Sequence, residues 1–367
     1  MNIGLLGFGT VGSHFYRMCA ERDDLRVAAV LSRRPRPELD CTVTADFDEL
    51  VRDKEIDLIV EVMGGVEPAF SYLSAAMRAG KHVVTANKQL MCAHYDELLA
   101  LARDSGVSLR CTAAAGGGIP WLTSLARAAE MDRINAVEGI LNGTTNYMLS
   151  AMTHCGADYD AVLREAQQLG YAEADPTADV EGLDARRKLV LSADLAFGVS
   201  VREDDIPCVG ISAITAEDIR AAAQEGLTYK LIARAERADG KVAAFVCPTL
   251  FPAAAPEAHT DGTGNLVSLY AERIGKQSFS GAGAGGFPTA SNVLADCLAI
   301  QGGCGSYYTD RAEPCAIDNG AVGGRWLFRA KGERFTVSAS ASQAFAAYAS
   351  YRKDDPAALI ARLADEG

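Results

Sequence analysis

The fold of this chain is decided by the stretch that begins at its second residue, Asn2-Ile3-Gly4-Leu5-Leu6-Gly7-Phe8-Gly9-Thr10-Val11-Gly12. Residues 2–6 form a short apolar run typical of a strand, and a helical pattern follows the glycines as far as residue 19. A GxGxxG turn between a strand and a helix lets the backbone approach a pyrophosphate, which then lies on the amides of the helix N-terminus. We therefore predict that the loop formed by Gly7, Phe8, Gly9, Thr10, Val11 and Gly12 binds a nucleotide.

Strand and helix patterns alternate after this loop. The predicted strands are residues 26–31, 57–62, 82–85 and 107–111, and the predicted helices are residues 67–79 and 88–105. Alternation of this kind predicts an α/β fold with a Rossmann-type, doubly wound parallel sheet that has helices on both faces. We assign residues 1–135 to this dinucleotide-binding domain.

Basic residues follow two of the predicted strands. Arg33 and Arg34 stand where a fold specific for NAD usually carries an acidic residue, so NADP is the favoured cofactor and NAD is the alternative. The same arginines would also suit a solvent-facing basic turn. Lys88 begins a helix at the carboxyl edge of the sheet, where it can reach the cofactor or the substrate, or simply lie exposed in the first helical turn.

Two further glycine-rich segments interrupt the pattern. Residues 113–119 read AAAGGGI and leave backbone carbonyls that could coordinate a monovalent cation or be hydrated. Residues 281–286 precede a helix, so they are either a flexible linker or a second place where the backbone approaches the cofactor, through Gly283 and Gly285.

Acidic residues are concentrated between residues 173 and 184, and three basic residues follow at once. The carboxylates are Glu173, Asp175, Asp179, Glu181 and Asp184, and the basic residues are Arg186, Arg187 and Lys188. Carboxylates this close repel one another unless a buried lysine or the ammonium group of a substrate lies among them. This stretch is therefore a candidate site, and the alternative is a solvated acidic loop with an ordinary i,i+4 surface pair.

The composition excludes several classes of protein. The chain has 367 residues, a net charge of −13 and a pI near 4.9, which argues against nucleic acid or an anionic membrane as the main partner. Ten cysteines without a CxxC pair indicate free thiols in a reducing compartment. The sequence shows neither a signal peptide nor a membrane span, so we predict a cytoplasmic protein with enough hydrophobic residues for two domains.

The motifs together resemble those of the homoserine dehydrogenase family. The resemblance runs over residues 1–300 and is carried by IGLLGFGTVG, EVMGG, TANK, GGGIP, GILNGTTNYML, LGYAEADPTADVEGLDARRK and GAGAGGFPTAS. It implies an NAD(P)-dependent oxidoreductase that interconverts L-homoserine and L-aspartate 4-semialdehyde in threonine, methionine and isoleucine biosynthesis. It also implies a homodimer, an α+β catalytic and dimerisation domain at residues 136–285, and a helix in residues 286–367 that returns to the nucleotide domain.

The resemblance also implies roles for individual residues. Lys188 would move the proton on the substrate oxygen, and Lys88 would be a second essential lysine. The substrate would be held by Glu173 and Asp184, with further contacts from Tyr171, Thr144 and Asp179. A sodium or potassium ion would be bound by the backbone carbonyls of Thr112, Ala115, Gly117 and Ile119, although many members of the family carry glutamate where this chain has Thr112.

The ends of the chain lead to two further expectations. The region after Tyr308 is too short for the complete regulatory domain that many members append, so we expect weak or absent feedback by threonine. We also expect the monofunctional form of the family and not the bifunctional one, because the sequence shows no kinase region before the nucleotide fold. Two other functions stay open: a nicotinamide-dependent reductase of another small amino acid semialdehyde, and a non-catalytic, nucleotide-sensing regulator. The joint presence of Lys88, Glu173, Asp184 and Lys188 disfavours the regulator.

Overall fold

The computed structural model describes residues 1–307 and 313–364, which form two compact units. Among the described residues, the first unit comprises 1–130, 198–200, 282–307 and 313, and the second comprises 131–197, 201–281 and 314–364. The second unit therefore includes residues 314–364, for which the sequence offered no chemical motif. No helix of the described chain is long and apolar enough to cross a bilayer.

The regular elements are numbered in chain order. The strands are β1 (Asn2–Leu6), β2 (Arg26–Leu31), β3 (Thr42–Thr44), β4 (Leu58–Glu61), β5 (His82–Thr85), β6 (Leu109–Arg110), β7 (Ile134–Ile140), β8 (Val199–Ser200), β9 (Leu227–Ala238), β10 (Lys241–Pro252), β11 (Gly264–Ala271), β12 (Gly275–Ala282), β13 (Glu313–Pro314), β14 (Gly323–Ala330), β15 (Glu333–Ser340) and β16 (Leu359–Leu363). The helices are α1 (Thr10–Ala20), α2 (Phe47–Arg52), α3 (Ala69–Arg78), α4 (Lys88–Asp104), α5 (Trp121–Met131), α6 (Gly143–Cys155), α7 (Tyr159–Gln168), α8 (Thr177–Val180), α9 (Leu183–Phe197), α10 (Ala216–Gln224), α11 (Gly286–Gln301) and α12 (Ala341–Asp354).

The first unit has the predicted doubly wound sheet. Its strand order is β3-β2-β1-β4-β5-β6, and every neighbouring pair is parallel. The order reverses between β1 and β4, and in sheets of this type the ligand binds at that point, beyond the carboxyl ends of the strands. Helix α11 returns to this unit, because Val293 and Cys297 are buried in one core with Ile3 and Phe15.

The second unit is built on a mixed sheet with the order β12-β11-β7-β9-β10-β16-β14-β15. Helices α6 and α9 both contact β7 or β9 in the middle of this sheet. The C-terminal strands belong to the same sheet, and α12 covers them through a core that includes Phe245, Trp326 and Ala344. The α+β character predicted for the second domain is confirmed.

Local sequence patterns fail near the C-terminal end of the described chain. Read locally, residues 356–363 predict a short helix, but residues 359–363 form β16, which is buried between β10 and β14. A short apolar run of this kind has no period that distinguishes a strand from a helix, so its sheet neighbours decide its structure. The sequence patterns do not predict β11 or β12.

Candidate active site

The glycine loop after β1 has the shape that close approach of a pyrophosphate requires. Gly7 has φ +98°, which side chains rarely tolerate, and a Cβ on Gly12 would lie 2.2 Å from the Gly7 carbonyl oxygen. Alanine at position 12 would therefore push α1 away from the loop. The third glycine lets the helix pack closely on the strand, as in dinucleotide-binding folds.

A cavity of about 790 Å³ opens at the carboxyl ends of β1, β2 and β4. It is lined by Gly7, Phe8, Gly9, Leu31, Ser32, Arg33, Arg34, Arg36, Ala45, Val62, Met63, Gly64, Pro68 and Tyr72. Arg33 and Arg34 are exposed, whereas Arg36 is half-buried and donates to the Phe8 carbonyl at 3.4 Å. The guanidinium of Arg36 also lies 5.2 Å from the centre of the Phe8 ring. The cavity thus combines a glycine cradle with three cationic groups, which suits a phosphorylated dinucleotide.

The buried carboxylate of Glu61 orders two loops beside this cavity. Its Oε1 accepts from the backbone amides of Met63 at 2.7 Å and Gly64 at 3.2 Å, and its Oε2 accepts from the Thr85 hydroxyl at 2.5 Å. Asn87 donates from Nδ2 to the Gly65 carbonyl at 2.6 Å and caps α4, whose first residue is Lys88. Burial raises the pKa of Glu61, and the hydrogen bonds from Thr85 and the two amides oppose that rise.

Some predicted cofactor residues lie outside the lining of this cavity. As far as the chain is described, these are Thr10, Val11, Gly12, Lys88, Gly283 and Gly285. Gly283 packs against another loop of the same unit, because a Cβ on Gly117 would lie 2.3 Å from the Gly283 carbonyl oxygen. The role of Gly283 and Gly285 in cofactor binding stays a prediction.

The second unit holds a buried ion pair near the start of α9. Lys188 Nζ donates to Asp184 Oδ2 at 2.7 Å and to the Leu141 carbonyl at 2.6 Å. The Lys188 and Asp184 side chains are only 9% and 10% exposed, so the interpretation as an ordinary surface pair is wrong. Within the described chain, two of the three N–H donors of the Lys188 ammonium group are thus engaged, and the third can donate a hydrogen bond to a substrate oxygen.

Asn142 joins the carboxylates of this site. Its Nδ2 donates to Asp179 Oδ1 at 2.7 Å and to Asp184 Oδ2 at 3.0 Å, while its Oδ1 accepts from the Thr145 amide and caps α6. One side chain therefore fixes the start of a helix and two acidic groups. Burial raises the pKa of Asp179, and the hydrogen bond from Asn142 opposes the rise.

Two of the remaining predicted substrate residues, Tyr171 and Glu173, lie on the segment that leads to α8, and the third, Thr144, lies in α6. Thr144 donates from Oγ1 to the Tyr171 carbonyl at 2.5 Å, which ties this segment to the first turn of α6. The rings of Tyr147 and Tyr171 meet edge to face at 5.0 Å. The side chains of Tyr171 and Glu173 are exposed. The structure thus gathers Thr144, Asp179, Asp184 and Lys188, and leaves Tyr171 and Glu173 at the surface of the same unit.

We expect the Asp179→Asn variant to gain stability relative to wild type as the pH rises above about 4. A carboxyl group whose pKa is raised by folding contributes stability that is complete below its unfolded pKa and is lost as the pH rises through its folded pKa. Asparagine does not titrate, so it lacks this loss. The measurement is urea unfolding from pH 4 to pH 8 without ligands. A stability difference that stays constant over this range would show that folding does not raise the pKa of Asp179.

Two carbonyls of the loop at residues 112–119 already accept hydrogen bonds from a buried side chain. Asn292, which is buried on α11, donates from Nδ2 to the Gly117 carbonyl at 2.6 Å and to the Ile119 carbonyl at 2.9 Å. The Thr112 hydroxyl donates to Asp296 at 2.7 Å, and Asp296 also forms a buried ion pair with Arg110. Two of the four carbonyls predicted to hold a cation are thus occupied by an amide.

Sequence reasoning missed four residues that shape these sites: Arg36, Glu61, Asn142 and Asn292. A signal existed for Asn142, because asparagine before a helix predicts an N-cap, but its second role depends on residues 37 and 42 positions away. Arg36 belongs to the same basic turn as Arg33 and Arg34. Asn292 lies 175 residues from Gly117, and no local pattern indicates that contact.

Comparison with known families gives two matches along this chain. A family model described as "Homoserine dehydrogenase, NAD binding domain" matches residues 7–112, and one described as "Homoserine dehydrogenase" matches residues 120–298. The two matches cover the cofactor cavity and the Asp184–Lys188 pair, respectively.

Similar proteins carry the same name. A homoserine dehydrogenase of Bacillus subtilis is 40% identical over 82% of this chain and 73% of its own length. One of Corynebacterium glutamicum is 45% identical over 81% of this chain and 71% of its own length. A crystal structure of a homoserine dehydrogenase from Thiobacillus denitrificans, 32% identical, aligns with a TM-score of 0.91 over 100% of this chain and 99% of that chain.

Proposed function

We propose that the buried pair of Lys188 and Asp184 carries out the reaction of the homoserine dehydrogenase family, to which this chain belongs. We also propose that NADP is the cofactor. The reaction is the NAD(P)-dependent interconversion of L-homoserine and L-aspartate 4-semialdehyde, an oxidoreduction at a CH-OH group in amino-acid biosynthesis. The burial of the ion pair is the observation that supports the assignment best.

The bound nicotinamide cofactor supplies the hydride chemistry of this reaction. Lys188 acts on the proton: when the aldehyde is reduced, its ammonium donates a proton to the oxygen on which negative charge develops. When homoserine is oxidised, the neutral amine takes the hydroxyl proton. Proton transfer by a positioned side chain typically contributes roughly 10² to 10⁴ in rate. The carbonyl of Leu141 and the carboxylate of Asp184 hold the Lys188 Nζ in place for this step.

The acidic residues orient the substrate. Asp184 and Asp179, both held by Asn142, form a negative region that suits the ammonium group of an amino acid. Glu173 and Tyr171, from the segment before α8, and Thr144, from the first turn of α6, are proposed as further contacts. Holding the ammonium group fixes the position of the reacting carbon, which lowers the entropy lost on reaching the transition state. Lys88 is proposed as a second essential lysine.

A substrate comparison tests this assignment against the two rival functions. We expect turnover with L-homoserine, and a large loss of kcat/KM with 4-hydroxybutyrate, which keeps the alcohol and lacks the ammonium group. Equal turnover with both alcohols would exclude the proposed role of the carboxylates. A preference for 2-hydroxy acids or for glutamate-type semialdehydes would indicate another reductase, and cofactor binding without turnover of any substrate would indicate a sensor.

The arginines of the cofactor cavity support NADP. Arg33 and Arg34 are exposed at the cavity and can pair with a 2′-phosphate, and Arg36 is a third cation in the same cavity. NAD lacks this phosphate and would leave the guanidinium groups with water as their partner. A monovalent cation is not part of this proposal, because Asn292 already bonds two of the four carbonyls concerned.

We expect the double substitution Arg33→Ser, Arg34→Ser to weaken NADP binding roughly ten- to a hundredfold and to change NAD binding little, because hydrogen bonds to charged groups contribute about 1.5–3 kcal/mol. The measurement is the Kd of each cofactor at fixed ionic strength. Arg78→Ser, on the exposed end of α3, is the matched control for loss of positive charge. An equal loss for both cofactors would reject the 2′-phosphate role.

Three further properties belong to this proposal. The first domain binds the cofactor, and the second binds the substrate and forms the interface of a homodimer. The protein works in the cytoplasm, which agrees with its acidic composition and its unpaired cysteine pattern. Sedimentation velocity tests the dimer: a monomer at micromolar concentration would reject it.

A further inference from the structure

We propose that the loop at residues 112–119 does not take a monovalent cation in this protein, because the side-chain amide of Asn292 stands in place of the ion. The resemblance to the family implies cation ligands at the carbonyls of Thr112, Ala115, Gly117 and Ile119. The residues around the loop do not fit that implication. The Asn292 amide, the ion pair between Asp296 and Arg110 and close backbone packing hold the loop and balance its charge, which a cation would otherwise do.

A hydrogen-bond donor already points at two carbonyls of the loop. A cation needs oxygen lone pairs that point at it, whereas Asn292 points an NH₂ group at the carbonyls of Gly117 and Ile119. The orientation of the amide is fixed by its neighbours, since a reversed amide would bring its oxygen against two other oxygens. The Ile119 carbonyl also accepts from the Trp121 amide at 2.7 Å, so both of its lone pairs are engaged.

The acidic group that contacts the loop, Asp296, already has a cationic partner. Asp296 contacts the loop through the backbone amide and the hydroxyl of Thr112, both at 2.7 Å. The positive charge for this carboxylate comes from Arg110, whose Nε lies 2.9 Å from Asp296 Oδ1 in a pair that is almost wholly buried. Asp296 is therefore already paired and gives an added cation little electrostatic stabilisation.

The backbone of the loop packs closely against residues 282 and 283. Gly117 has φ +57°, and a Cβ there would lie 2.3 Å from the Gly283 carbonyl oxygen. The neighbouring Gly118 amide donates to the Ala282 carbonyl at 2.9 Å. The conformation of the loop is thus fixed by protein contacts on the same unit, and an ion is not needed to order it.

The loop has its own optical reporter. The chain contains two tryptophans, and Trp121 follows this loop directly whereas Trp326 is buried in the second unit. A Trp326→Phe background leaves Trp121 to report on the first unit. Any ligand that binds the folded state alone raises the unfolding midpoint with its concentration, so a bound cation must show itself in this signal.

The experiment compares sodium, potassium and choline chlorides at equal ionic strength, with the thermal midpoint of Trp121 emission and homoserine turnover as readouts. We expect the Trp326→Phe protein, with Asn292 in place, to show the same thermal midpoint and the same homoserine turnover in all three salts. A midpoint that rises saturably with sodium or potassium, and not with choline, would overturn the proposal. This comparison of salts needs no substitution at position 292, so it tests the proposal even if every variant at that position fails to fold.

A substitution supplies the converse test. Asn292→Asp replaces two donors by a carboxylate, which faces the Gly117 and Ile119 carbonyls and needs a cation. We expect this variant to gain a saturable midpoint shift in sodium or potassium; an absence of any shift in the folded variant would contradict the role given to the amide. Asn146→Asp, followed through Trp326 in a Trp121→Phe background, is the matched control.

Asn146 suits that control because it is also a buried amide that donates to backbone carbonyls, those of Thr260, Gly262 and Gly264. Lys230 Nζ lies 3.1 Å from its Oδ1, so a carboxylate at this position already has a cation. We expect no dependence on sodium or potassium there. A dependence equal to that of Asn292→Asp would mean that any buried carboxylate produces the effect, and the proposal would fail.

Discussion

Asp184→Ala is expected to cost about 3–5 kcal/mol of folding stability, as the loss of one partner of a buried ion pair does, and to abolish most turnover. Removing one partner of a buried ion pair leaves the other charge without compensation, and that loss is far larger than for an exposed pair. In this variant Lys188 would keep its hydrogen bond to the Leu141 carbonyl and lose the carboxylate. The negative region offered to the substrate ammonium would also shrink.

The stability loss is measured by urea unfolding at pH 7 in a Trp121→Phe background, where the buried Trp326 reports on the second unit. Asp184→Asn is the matched control, because the amide keeps the volume and can accept a hydrogen bond from Lys188. We expect a clearly smaller loss for asparagine than for alanine. If Asp184→Ala were as stable as wild type, the pair would not be buried as the structure has it.

Lys188→Met is expected to lower homoserine turnover by roughly 10² to 10⁴ while cofactor binding stays nearly unchanged, since general acid–base catalysis contributes about that factor. Methionine keeps an unbranched side chain of similar length and removes the proton donor. The cavity proposed for the cofactor belongs to the first unit, and Lys188 belongs to the second. The measurement is kcat with L-homoserine, beside the Kd of NADP.

Two further variants separate catalysis from folding. Lys230→Met removes another buried lysine of the second unit, one that bonds Asn146 and the Thr260 carbonyl, so it should reduce stability and keep turnover. The double variant Asp184→Asn, Lys188→Met removes both charges of the pair and should recover stability without recovering turnover. Near-normal turnover in folded Lys188→Met would show that another group moves the proton.

Local sequence patterns predicted most of the first unit, because its signals are local, but they did not predict β3 or α2. The GxGxxG turn and the alternation of short apolar runs with helical periods specify a parallel sheet without knowledge of distant contacts. The same patterns failed for β16, whose apolar residues fit a strand or a helix and whose neighbours β10 and β14 lie far away in sequence. Strand pairing over long separations is the information that local patterns lack.

The candidate site was predictable in part for a similar reason. The spacing of Asp184 and Lys188 places them on one face of a helix, but it does not distinguish a surface pair from a buried one. Burial follows from the packing of α9 against β7 and β9 and from the contacts of Asn142 and Leu141, which come more than 40 residues earlier. Asn292 shows the limit most clearly, because only the fold brings it to Gly117 and Ile119.

The proposed role of Lys188 is tested most directly by the initial rate of NADP reduction at alkaline pH with L-homoserine, for the wild-type protein and Lys188→Met prepared side by side. The expected result is a homoserine-dependent rate in the wild type that the variant loses while it still binds NADP. A wild-type protein that binds the cofactor and shows no homoserine-dependent rate with NADP or NAD would contradict the proposed function of the site.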